Sequence, residues 1–220
     1  MTKIEISVDL KSHVPEMVLG CIECDVQIGL SGEELLNRMK ETENRIKEHL
    51  PLNKISQKSA IQASRKAYKA CGKDPARYRL SAEALTRRVV RGLGLYHINN
   101  IVDLVNLISL ETGISIGGYD VEKIVGDVQM GIGKNNEPYQ AIGRGELNIE
   151  FLPVFRDEES AFGSPTSDSE RTSVTNATKR FLMVIIGFSG QEETEKAMEL
   201  AVELLTRYGK AKKLEQWIVE

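Results

Sequence analysis

The chain has 220 residues, 41% hydrophobic and 28% charged, with a formal net charge of −3. Those proportions fit a soluble globular protein with ample core, and no apolar run approaches the ~20 residues of a membrane helix. Three cysteines without a disulfide framework suit a reducing cytoplasm, and "MTKIEISVDL" shows no charged-then-apolar signal pattern.

In chain order, "KIEISVDL" and "VLGCIECDVQI" read as strands. Within the second, Cys21 and Cys24 lie three apart and so point to opposite faces, which makes them core cysteines and not a zinc half-site. Ser31 stands three residues before Glu34, the spacing of a capping box, and opens a helix that runs to Pro51. A second helix covers "KSAIQASRKAYKAC" and closes at Gly72; Ser81 caps a third, "AEALTRRVVRG". Between Lys54 and Arg91 eleven Lys and Arg face only Asp74 and Glu83. That segment carries +9, which leaves −12 on the remainder of a −3 chain. It is either the footprint of a polyanion or a solvated helical face.

The next helix, "INNIVDLVNLISLETG", is apolar on most of its circumference and takes Asn99 or Asn100 as N-cap and Gly113 as C′ residue. Asn99, Asp103, Asn106 and Ser109, spaced four, three and three apart, form a narrow stripe of short polar side chains. On a buried helix each needs a partner, since an unpaired polar group costs ~1–3 kcal/mol. Capping can occupy Asn99 and Asp103 but not Asn106, which sits mid-helix. Neighbouring loops or a ligand can supply the partners.

Beyond Gly113 a turn is expected at Gly117-Gly118, then a short helical turn capped by Asp120. "DVQMGIG", "PYQAIGRG", "LNIEFLPVFRD" and "RFLMVIIGFS" read as strands, the last a central one. "QEETEKAMELAVELLTRYGKAKK" is an amphipathic helix with acids early and cations late. Helices grouped before strands argue for one α+β domain.

Between two of those strands, Ala161–Arg180 gathers Ser164, Thr166, Ser167, Asp168, Ser169, Glu170, Arg171, Thr172 and Thr175 in a single loop region. It is anchored at the mouth of the central strand, where such a loop can offer N–H groups, hydroxyls and an arginine to an anion or carbonyl. His13, His49 and His97 show no spacing that supplies a base, so no Ser-His triad is expected. "GLGLY" and "GIGK" lack the helix or Lys-Ser/Thr ending of a phosphate loop. No cofactor and no metal cluster is expected.

"GLGLYHINNIVDLVNLISLETGISIGGYDVEKIVGDV", together with "AYKACGKDPARYRLSAEAL" and "FGSPTSDSERT", resembles the B3/B4 domain of the phenylalanyl-tRNA synthetase β subunit, and its free-standing members in particular. The resemblance covers about residues 60–187 and implies a single B3/B4-like domain over 1–220, α+β with a β-sandwich core flanked by helices. It further implies an editing-type pocket that hydrolyses mischarged aminoacyl-tRNA in trans, or one that binds RNA or an amino-acid-like small molecule without chemistry. Neither tRNA charging, DNA nor membrane binding is implied.

Asn106 falls on a pocket asparagine of the family and Glu170 near a pocket glutamate. Asn106, Glu170 and Asp168 are therefore the catalytic candidates. Asn99, Asp103, Ser109, Ser164, Thr166, Ser167, Arg171 and Thr172 are candidates for ligand binding. Lys66, Lys69, Lys73, Arg77, Arg79, Arg87, Arg88 and Arg91 are candidates for holding RNA phosphates. Two departures matter: Val105 stands where the family carries threonine, and the family's histidine is replaced around Gly117.

Overall fold

The run RFLMVIIG is the strand about which the molecule is assembled. The computed structural model describes residues 1–220. Along the chain these form β1 (Ile4–Ile6), α1 (Val8–His13), β2 (Val18–Asp25), α2 (Glu33–His49), α3 (Ser59–Ala70), α4 (Ser81–Val90), α5 (Asn100–Thr112) and β3 (Ile116–Asp120). There follow β4 (Val128–Ile132), β5 (Gln140–Ala141), β6 (Gly145–Glu146), β7 (Pro153–Arg156), β8 (Ala161–Gly163), β9 (Arg180–Gly187), α6 (Gln191–Tyr208) and β10 (Lys212–Val219).

One sheet has the order β10-β2-β9-β3 and is antiparallel throughout; the other has the order β1-β4-β7-β8, with β1 and β4 parallel. Strand β9, hydrogen-bonded on both edges, sends alternate residues to two cores, as a pleated strand must. Leu182, Val184 and Ile186 join Leu19 and Cys21 of β2 and Val154, Phe155 and Phe162 of the facing sheet, which is the sandwich interior. Phe181, Met183 and Ile185 join Ile22 and Cys24 beneath α2, α5 and α6. Cys21 and Cys24 thus lie in different cores, each fully buried. The architecture is an α+β fold of two facing sheets, with α2, α4, α5 and α6 on one outer side and α1 and part of α3 packed into the sandwich core. No helix is long and apolar enough to cross a membrane.

Helix α5 lies in the helical layer with both ends defined locally. Asn99 Oδ1 accepts from the N–H groups of Ile101 and Val102 at 3.1 and 2.9 Å, and Gly113 takes φ +76° at the C-terminus. That left-handed geometry is what a C-terminal glycine supplies.

Five sequence expectations are corrected. Ser31 does not cap α2; the N-cap is Gly32, and the Ser31 hydroxyl instead donates to Asp103 at 2.6 Å. Ser81 is the first residue of α4, behind an N-cap Leu80. "KIEISVDL" divides into β1 and α1, because Ser7 accepts from the Leu10 N–H and turns the chain into a helix. The last helix stops at Tyr208, and the charged stretch after it pairs with β2 as an edge strand, β10. Finally, Gly117 and Gly118 do not turn the chain. They run straight through β3, paired with Val184 and Met183 of β9.

Candidate functional site

Strand β3 packs a tyrosine where small neighbours make room for it. A Cβ on Gly117 would overlap the Tyr119 hydroxyl and lie 2.5 Å from its Cζ; a Cβ on Gly163 of β8 would overlap the same hydroxyl. The phenol is wedged between two bare Cα atoms, and its ring meets Phe162 edge-on at 5.0 Å. From there it donates to Asp168 Oδ1 at 2.8 Å.

Two further buried tyrosines reach the same loop. Tyr68 of α3 shares a 2.9 Å hydrogen bond with the Thr166 hydroxyl, and Tyr139 donates to the Ser167 carbonyl at 2.7 Å. The loop also closes on itself: Ser164 Oγ donates to the Ser167 carbonyl and accepts from the N–H groups of Thr166 and Ser167. Residues 164–168, polar and irregular, are therefore held from three elements of the core.

This loop and α5 enclose a cavity of about 390 Å³. Its lining is part apolar, with Leu85, Val102, Val105, Ile116 and Val174 prominent, and part polar, with Ser81, Asn106, Ser109, Ser164, Ser167, Asp168, Glu170 and Ser173. Half-buried Asn106 lines this space, and its side chain forms no hydrogen bond within the protein. Burial drives the Asp168 carboxyl up to about 7, although the Tyr119 hydroxyl and the N–H groups of Gly118 and Ser164 favour its ionised form. Exposed Glu170 lines the mouth and is not ion-paired.

Of the residues singled out in the sequence, Asn106, Ser109, Ser164, Ser167, Asp168 and Glu170 meet at this cavity. Ser109 is already satisfied by the Ile114 carbonyl at 2.7 Å. The others are placed elsewhere. Asn99 caps α5, and Asp103 holds the Ser31 hydroxyl and the Ile98 N–H. Arg171 turns away to Asp157 and Glu159 at 2.8 and 3.4 Å. Thr166 faces Tyr68, and Thr172 Oγ1 is buried without a partner. Sequence reasoning missed Tyr68, Tyr119, Tyr139, Ser81 and Ser173. Nothing local in the sequence says where the Tyr119 phenol will point.

The basic segment divides in the same manner. Lys73 is buried, donating to the carbonyls of Asn148 and Glu150, and Arg87 pairs with buried Glu83 at 2.9 Å. Arg88 lies over the Tyr96 ring at 3.9 Å and donates to the Gly94 carbonyl. Arg79 is exposed and stands 3.9 Å from Glu83. Lys66, Lys69, Arg77 and Arg91 are exposed and form no ion pair.

Residues 63–217 match the B3/4 domain family. Among curated proteins, the phenylalanine–tRNA ligase β subunit of Fusobacterium nucleatum is 26% identical over 121 residues, covering 51% of this chain and 14% of its own length. The same subunit of Bartonella henselae is 30% identical over 96 residues, covering 43% and 12%. The chain thus spans only 12–14% of these relatives. Among solved structures, an N-terminal fragment of the phenylalanyl-tRNA synthetase β subunit from Pyrococcus horikoshii aligns with a TM-score of 0.50 at 16% identity. That alignment takes in 99% of this chain and 50% of the other, a likeness of fold.

Proposed function

The chain belongs to the B3/4 domain family, and from that premise we propose that its cavity binds the aminoacyl end of an aminoacyl-tRNA and hydrolyses the ester. The observation that carries this reading is the unpartnered Asn106 amide on the same cavity as Asp168. A carboxyl poised near 7 is matched to general-base work at neutral pH. Asp168 takes a proton from water as the water oxygen bonds to the ester carbonyl carbon. The Asn106 N–H group donates to the oxyanion that develops there. The C–O bond to the ribose then breaks, and Asp168 returns the proton to the leaving oxygen. The products are the amino acid and the tRNA hydroxyl. The apolar wall of Val102, Val105 and Ile116 receives the amino-acid side chain.

Incubation with a panel of mischarged aminoacyl-tRNAs tests this; no turnover with any member overturns it. Asn106→Ala is expected to lower kcat by about 10²–10³, the usual cost of one oxyanion donor, with an unchanged melting temperature because the amide has no protein bond to lose. A second reading, binding without hydrolysis, is favoured by Val105, which brings no hydroxyl to the wall beside Asn106. It requires saturable aminoacyl-tRNA binding with no release of amino acid.

The RNA body would lie along Lys66, Lys69, Arg77 and Arg91, the exposed candidates that form no ion pair. Each phosphate contact contributes about −0.7 to −0.9 to the slope of log K against log salt. Replacing all four with alanine is expected to flatten that slope by about 3 and to weaken every tRNA alike. A salt-insensitive interaction would reduce this surface to a solvated face.

A further inference from the structure

Both ionisable side chains lining the cavity are acids. Asp168 and Glu170 contribute carboxylates, and no Lys, Arg or His is among the lining residues. Neither carboxylate is neutralised by an ion pair. The neighbouring Arg171 is committed to Asp157 and Glu159. Lys123 touches the wall from behind, through a 2.7 Å bond to the Ser173 carbonyl, and lies 3.9 Å from Asp120. The neutral polar groups that remain, the Asn106 amide and the Ser81 hydroxyl, can engage an uncharged carbonyl.

We infer that this cavity accepts a ligand with a positively charged amine and an uncharged acyl group, an aminoacyl ester or amide, and refuses the free amino acid. A carboxylate brought inside would lose part of its water, find no cation, and face the Glu170 carboxylate beside an Asp168 carboxyl that is itself poised at about 7. An ammonium meets the Glu170 carboxylate there and favours the ionised form of Asp168. The preference has a consequence for turnover, since ester hydrolysis converts a neutral acyl group into a carboxylate within an acidic enclosure and so favours release of the product. The inference rests on the proposed function only in identifying the ester as the natural ligand; the charge preference is a property of the wall.

The full chain should be titrated calorimetrically at pH 7 with three compounds for each of the Val, Leu, Met and Phe side chains: the L-amino acid amide, the free L-amino acid and the N-acetyl amide. For at least one side chain the amide is expected to bind ten-fold or more tightly than the free acid, with the N-acetyl amide weaker still. Glu170→Gln is expected to narrow the gap between amide and free acid at least three-fold. Equal affinity for amide and free acid, equal affinity for the N-acetyl amide, or no binding by any amide would overturn the inference. Amide binding of the expected kind without hydrolysis of any aminoacyl-tRNA would uphold it while removing the hydrolytic reading, so the two can fail separately.

Discussion

Asp168→Asn is expected to abolish the proposed hydrolysis and, at pH 8, to stabilise the fold. Loss of a general base costs about 10²–10⁴ in rate. The stability gain follows from linkage. Burial sets the folded carboxyl at about 7, whereas an unfolded aspartate titrates near ~3.9. Between those values the folded chain keeps a proton that the unfolded chain has lost, so stability declines as pH rises across that interval, and the full penalty is present above it. The groups facing this carboxyl are Tyr119 from β3, Tyr139 from the segment after β4, and Glu170 from its own loop; none brings a positive charge. Asparagine removes the buried charge and keeps an oxygen for the Tyr119 hydroxyl. A gain of about 1–3 kcal/mol is expected at pH 8, or roughly 3–10 °C in Tm for a chain of this size. At pH 4 the gain should vanish, because the folded wild-type carboxyl is then neutral. An equal gain at both pH values would contradict burial as its cause.

Gly117→Ala is expected to harm the fold strongly. Its methyl group would overlap the Tyr119 hydroxyl, and the ring cannot withdraw because Gly163 bounds it on the other side and Phe162 and Phe155 meet it at 5.0 and 6.0 Å. The phenol must move, which adds the loss of its bond to Asp168 to the cost of overpacking. Together these amount to about 2–4 kcal/mol, read as a fall in Tm or urea midpoint. Tyr119→Phe loses the bond without the overlap and should cost only about 1 kcal/mol. A neutral Gly117→Ala would show that β3 accommodates side chains at this position.

The same glycine explains where sequence reasoning stopped short. Gly117-Gly118 reads as a turn because adjacent glycines usually make one; the contact that calls for glycine comes from Tyr119 and from Gly163, 46 positions along the chain. Features fixed within a few residues were legible: the central place of β9, the Asn99 cap, the Gly113 terminus and the apolar circumference of α5. Asn106 stood out because nothing local can satisfy a mid-helix amide. Ser31 and Ser81 have the spacing of helix caps, yet their side chains serve Asp103 and the cavity wall. Strand β10 escaped notice because its charged first half prolongs the helical pattern of α6, and only its pairing with β2 makes it a strand. The resemblance to the B3/B4 domain agrees with the family match, while the pairing of Arg65 and Arg87 with Glu83 and the burial of Lys73 could only be seen in three dimensions.

Three phenols reaching out of the core to residues 166, 167 and 168 leave that segment no freedom to behave as a flap. Traffic into the hollow must then pass a standing doorway, whose apolar jambs are Ile98 and Ile142, 60% and 47% exposed. A ligand of the proposed kind would thus be sorted by size and charge on arrival, by a frame that yields only when the sandwich itself melts.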